Sequence, residues 1–129
     1  MFTNIYHIGY LTEDIASAIE FYLKIYDAEL ISEATGATGG KMAFLKVGNT
    51  EVEFIEAPER VREAGKGNLL LDHIGYLVDD IDAAVAKLRA RGVKFMTEAP
   101  YTNARGHRLI YADASTTQGV RLHLTYTGS

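Results

Sequence analysis

Eight segments of the chain read as strands, and two read as amphipathic helices. The strands are NIYHIGYL (4–11), AELISE (28–33), KMAFLKVG (41–48), EVEFIEA (51–57), LLDHIGYLV (70–78), VKFMTE (93–98), HRLIYAD (107–113) and VRLHLTY (120–126). The helices follow the first and fifth strands. Ile15, Ile19, Tyr22 and Tyr26 share one face of the first, and Ile81, Val85 and Leu88 share one face of the second. Asp14 and Asp80 stand where N-caps belong, and Gly92 is placed to end the second helix. The acidic pairs Glu13–Asp14 and Asp79–Asp80 suit the positive end of a helix dipole. Gly48 and Asn49 predict a tight hairpin. Segments 34–40, 57–68 and 99–106 collect Gly, Pro and polar residues and read as loops, the middle one as a linker.

The order of elements is repeated. Residues 7–15 are HIGYLTEDI and residues 73–81 are HIGYLVDDI, seven of nine positions being identical at an offset of 66. Each half is β-α-β-β-β. The expectation is one α+β domain over residues 1–129, built from module 1–60 and module 69–129. The two modules pair into a half-open, barrel-like sheet of eight strands, because neither alone covers both faces of a curled four-stranded sheet.

Composition narrows the function. With 129 residues there is no room for a separate cofactor domain. Thirteen basic and 17 acidic residues give a net charge of −4, which argues against nucleic acid as a partner. Zero cysteines exclude disulfides, thiolate metal ligands and a thiol nucleophile. No leader or long apolar run stands out, so the expected location is the cytoplasm, away from membranes.

The duplication singles out four polar side chains. His7 and His73 occupy the same position in the leading strands, and Glu53 and His123 the same position in the closing strands. Alternation separates Glu53 from Val52 and Phe54. It places His123 with Arg121 and Thr125, away from Leu122 and Leu124. If a pseudo-two-fold axis relates the modules, all four can converge on it, and three imidazoles with one carboxylate can hold a first-row divalent ion. His107 has no symmetry partner and reads as solvent-exposed or substrate-facing.

HIGYLTEDIASAIEFYLKIYDAEL, AFLKVGNTEVEFIEAP, DHIGYLVDDIDAAVAKLRARGVKF and GHRLIYADASTTQGVRLHL together resemble the vicinal oxygen chelate superfamily. That group contains glyoxalase I, methylmalonyl-CoA epimerase, extradiol dioxygenases and drug-resistance proteins. The resemblance implies paired βαβββ modules and a divalent metal (Fe, Mn, Co, Ni or Zn) on His7, Glu53, His73 and His123. It departs at the last position, where the glyoxalase and epimerase pattern has Glu and this chain has His123. The activity implied is that of a metal-dependent lyase or isomerase. Its substrate is a small carbonyl compound or acyl thioester, and Glu53 is the candidate base. Tyr10, Tyr76, Tyr101 and His107 are candidate assistants. Alternatives are an Fe- or Mn-dependent dioxygenase-like enzyme and a non-catalytic small-molecule binder. A homodimer is expected.

Overall fold

The computed structural model describes residues 1–36 and 39–128. Residues 37 and 38 of the expected 34–40 loop lie outside the described residues. The elements are β1 (Phe2–Thr12), α1 (Ile15–Ile25), β2 (Glu29–Thr35), β3 (Lys41–Val47), β4 (Thr50–Glu56), α2 (Pro58–Ala64), β5 (Leu69–Val78), α3 (Ile81–Ala90), β6 (Tyr101–Thr102), β7 (Arg108–Tyr111) and β8 (Leu122–Tyr126). They form an eight-stranded mixed open sheet in the order β2-β3-β4-β1-β5-β8-β7-β6. β1 runs parallel to β4 and β5 parallel to β8, while β2-β3-β4 and β6-β7-β8 are antiparallel.

Two compact units divide the chain. One is His7–Asp72; the other is Met1–Tyr6 together with the chain from His73 on. In the first, Asp14 caps α1 by accepting from the Ser17 N–H, and Ile15 and Ala18 pack with Ala43, Leu45, Val52 and Phe54. The expected hairpin forms: Val47 pairs with Thr50 around a two-residue turn, and Gly48 takes φ +59°. The linker is more ordered than its composition implies, since it contains α2. Pro58 suits the first turn of that helix, and Gly65 closes it at φ +64°. Asn68 then ties the linker down. Its Oδ1 accepts from Thr12 Oγ1 and from the N–H groups of Glu13 and Asp14, and its Nδ2 donates to the Asp14 carbonyl.

In the second unit Asp80 caps α3 through the Ala83 N–H, and Ile81, Ala84 and Val85 pack on Val78, Ile110 and Leu124. Met1 and the first five residues of β1, Phe2–Tyr6, belong here. The terminal amino group meets Asp79, Thr3 Oγ1 donates to the Leu77 carbonyl, and the Phe2 ring stands edge-on to Tyr76 at 5.6 Å. One expected strand is missing. Segment 93–98 makes only a bridge between Phe95 and Ala112, and a short strand, β6, forms instead at Tyr101–Thr102, inside the expected loop 99–106. Lys94 and Met96 direct their backbone groups to Asp113 and Tyr111 singly, so no continuous ladder develops. No helix among the described residues is long and apolar enough to cross a membrane.

Candidate metal centre

The site residues fall on the sheet face turned away from the helices. In the His7–Asp72 unit, Val52 and Phe54 of β4 pack under α1, so alternation turns Glu53 to the opposite face. The parallel register sets Gly9 beside Glu53. Both His7 and Glu53 are buried, and His7 Nε2 lies 3.8 Å from Glu53 Oε1. Atoms that share one ion at bonds of about 2.0–2.2 Å stand roughly 3–4 Å apart, so this spacing fits two ligands of one centre. A buried carboxylate needs a cation or donors to stay charged.

The unit that contains His73 holds the matching pair. Leu122 and Leu124 face α3, and His123 between them faces away. His73 is 1% exposed and His123 3% exposed, and their ring centroids are 5.4 Å apart. Tyr111 stands edge-on to both, at 5.9 Å from His73 and 5.0 Å from His123. The Arg121 guanidinium lies over the Tyr111 ring, 4.6 Å from its centroid. His123 Nδ1 is 2.7 Å from Thr125 Oγ1, which fixes the orientation of the ring. Burial, with His73 and Arg121 nearby, pushes the His123 pKa down to about 3. Its imidazole is therefore neutral at pH 7, the form that ligates metals.

Gly75 completes this half. It pairs with His123 in the β5–β8 register, and a Cβ built on it would meet His123 Cε1 at 2.5 Å and Nε2 at 2.8 Å. The imidazole occupies the space a side chain at residue 75 would need.

His73 and His123 in one unit and His7 in the other are each buried ligand-type side chains. The donor chemistry fits, since neutral imidazoles and a carboxylate suit first-row divalent ions. The expected assistants divide. Tyr10 packs with the α1 core and Tyr76 with the α3 core, on the helix-facing side. Tyr101 is exposed, and His107 is half-buried with its Nδ1 3.3 Å from the Tyr6 hydroxyl. Thr125 and Arg121 were legible as neighbours of His123 by alternation. Tyr111 and Gly75 come to the site only through strand register, which no local pattern announces.

Comparison with known proteins gives a consistent picture. A family model described as Glyoxalase/Bleomycin resistance protein/Dioxygenase superfamily matches residues 6–111. The uncharacterized protein YaeR of Escherichia coli K12 is 33% identical over 114 residues, covering 79% of this chain and 83% of that protein. Human mitochondrial methylmalonyl-CoA epimerase is 27% identical over 127 residues, covering 92% of this chain and 70% of that protein. Among solved structures, methylmalonyl-CoA epimerase from Mycobacterium tuberculosis superposes with a TM-score of 0.84 at 21% identity, covering 99% of this chain and 90% of that one. A Streptomyces coelicolor methylmalonyl-CoA epimerase variant in complex with 2-nitronate-propionyl-CoA gives a TM-score of 0.82 at 24% identity over the whole of both chains. The fold is thus that of the vicinal oxygen chelate proteins, and the chain belongs to the glyoxalase/bleomycin resistance protein/dioxygenase superfamily.

Proposed function

We propose that this chain is a divalent-metal-dependent lyase or isomerase of the epimerase kind, acting on a small carbonyl or acyl-thioester substrate through an enolate. The observation that carries this reading is the pair of half-sites at equivalent positions of the two repeats. Each consists of two buried ligand-type side chains on the face opposite its helix. His7, Glu53, His73 and His123 are the proposed ligands. The likeness to human methylmalonyl-CoA epimerase and the epimerase fold of the structural neighbours support the epimerase branch.

A divalent ion held by these residues would supply Lewis-acid stabilisation of negative charge on a substrate oxygen. The protein's own part is positioning and proton handling. Thr125 locks the His123 ring, and Gly75 leaves it room. Tyr111 walls the two rings and limits water. Glu53 is the carboxylate of the set, so it takes the α-proton of the substrate and returns it. His7 stands 3.8 Å away in the same half-site. The reading includes a homodimer; β2 and β6 end the sheet with unpaired edges of the kind a second copy can cover.

The test combines elemental analysis of untagged protein purified without chelators with NMR of methylmalonyl-CoA in D₂O. The expected results are about one divalent ion per chain and exchange of the α-proton, with exchange lost in Glu53→Gln. A wild-type protein that takes up no ion on titration and exchanges no α-proton would overturn the reading. Oxygen uptake on catechols with iron or manganese bound would move it to the dioxygenase branch.

A further inference from the structure

The unit that contains His73 and His123 has a second concave feature, on the helix-facing side of its strands. A cavity of about 590 Å³ opens there, lined chiefly by Phe2, Ile5, Tyr76, Leu88, Leu122 and Leu124. Leu122 and Leu124 lie on the α3 side of β8 and His123 between them faces away, so the cavity is separate from the candidate metal ligands. Its volume is that of a small-molecule site. No Asp, Glu, Lys, Arg or His side chain lines it, so it suits an uncharged occupant. Phe2 and Ile5 stay 46% and 41% exposed at its rim. Those exposed parts amount to on the order of 200 Å², against roughly 800 Å² from each partner of a stable protein interface. The rim therefore suits a small molecule better than a second copy of the chain.

The duplication indicates the shape of that molecule. Tyr76 and Leu88 correspond to Tyr10 and Tyr22 at the offset of 66, and Leu122 and Leu124 flank His123 as Val52 and Phe54 flank Glu53. In the first repeat this space is filled from within. The Tyr22 ring stands edge-on to Phe54 at 5.0 Å and 6.5 Å from the Tyr10 ring, and its hydroxyl is hydrogen-bonded to Tyr10. Burial, together with that bond, raises the Tyr22 pKa above its ordinary value and keeps the phenol neutral. The second repeat keeps the partner, Tyr76, and has leucines where the first has the Tyr22 and Phe54 rings. Phe2 adds an aromatic wall, edge-on to Tyr76 at 5.6 Å. We infer that the cavity is a binding site for a small uncharged phenol, whose ring takes the place that Tyr22 fills in the first repeat and whose hydroxyl hydrogen-bonds Tyr76. The site is independent of the proposed metal chemistry.

The probe is p-cresol, the tyrosine side chain as a free molecule. Toluene is the same ring without the hydroxyl, and 4-methylbenzoate is a charged counterpart. Each is titrated at neutral pH into leucine-methyl-labelled protein and followed by NMR. p-Cresol should shift the Leu88, Leu122 and Leu124 methyls with a Kd on the order of 1 mM or tighter, and 4-methylbenzoate should leave them unmoved. Leu88→Tyr should supply the ring from within and abolish p-cresol binding. Tyr76→Phe keeps the packing and decides the matter if Leu88→Tyr does not fold. It should weaken p-cresol about threefold to tenfold, the worth of one neutral hydrogen bond, and leave toluene unchanged. Unmoved methyls in wild type, full p-cresol affinity in a folded Leu88→Tyr, or equal effects on p-cresol and toluene in Tyr76→Phe would overturn the inference. So would shifts that a chelator abolishes, which would put the phenol at the proposed metal. Methyl shifts that follow protein concentration without any ligand would give the cavity to a second copy and overturn it too.

Discussion

Replacing Gly75 with alanine adds one methyl group, and the structure says where the group must go. β5 is extended at this position, so the backbone accepts alanine without strain. The collision is with a neighbour. The new Cβ stands 2.5 Å from His123 Cε1, where ordinary contact begins at 3.4 Å, so the ring must retreat by 0.9 Å. It has little room to do so, because Thr125 holds Nδ1 at 2.7 Å and Tyr111 closes the other side at 5.0 Å. Overpacking of this kind costs about 1–3 kcal/mol. In a chain of this length that lowers the melting temperature by roughly 4 °C per kcal/mol. Metal affinity should fall by about tenfold to a hundredfold, because the ring is driven off its ligating position. The assay is a double-mutant cycle with His123→Ala, read by thermal unfolding of metal-free protein and by metal titration. Removing the ring should abolish the cost of the methyl group, giving a coupling energy of about 1 kcal/mol or more. Additive effects, or wild-type metal affinity in Gly75→Ala, would refute the placement of His123 over Gly75.

Acid should destabilise the metal-free protein through His123. Its folded pKa is about 3, below the unfolded value near 6.5, so its contribution is complete above about pH 6.5 and drains away as pH falls toward 3. Between pH 7 and 4.5 wild type should lose roughly 2–3 kcal/mol that His123→Gln does not lose, measured by denaturant unfolding at both pH values; equal losses in the two proteins would remove His123 as the cause. Thr125→Val keeps the shape of the side chain but removes the oxygen beside His123 Nδ1, and should weaken metal binding about tenfold or more by titration. Asp14→Ala and Asp80→Ala should each cost about 1 kcal/mol in urea unfolding, since each carboxylate caps a helix.

The duplication made much of the architecture readable. Two copies of one string placed His7 and His73 on equivalent strands, and alternation within V-E-F and L-H-L set Glu53 and His123 apart from the apolar residues that pack under the helices. The N-cap aspartates were visible because the cap chemistry is local. Most of what escaped was non-local. VKFMTE has strand composition, yet its backbone finds single partners in Asp113 and Tyr111 instead of a ladder. α2 formed in a segment read as linker, because a helix of two turns needs only Pro58, one buried apolar side chain at Val61 and a glycine cap. Tyr111 lies twelve residues from His123, and only the antiparallel register that pairs the two reveals their contact.

Strand register also bears on how the second repeat carries a histidine where the first carries a glutamate. In both repeats the glycine of H-I-G-Y stands beside the proposed ligand of the closing strand, Gly9 beside Glu53 and Gly75 beside His123. A residue without a side chain opposite the ligand leaves space that a carboxylate only partly needs and an imidazole ring fills. The His123 ring takes up that space at Gly75, so the larger ligand is accommodated with no change in the strand frame. The consequence is chemical. An imidazole fixed by Thr125 and held neutral by burial has the form that ligates metals, and it is a poor proton acceptor at any pH above about 3. If the proposed enolate chemistry holds, the proton-accepting role cannot be shared between the closing strands, and it falls to the carboxylate of the first repeat, Glu53. A Glu53→Gln protein should then retain its metal through the three imidazoles and lose proton transfer, whereas His123→Glu should offer a second carboxylate at the symmetry-equivalent position and restore part of that transfer to Glu53→Gln. Restoration absent in a double variant that still binds metal would mean that proton transfer depends on the first repeat's own geometry as well as on the presence of a carboxylate.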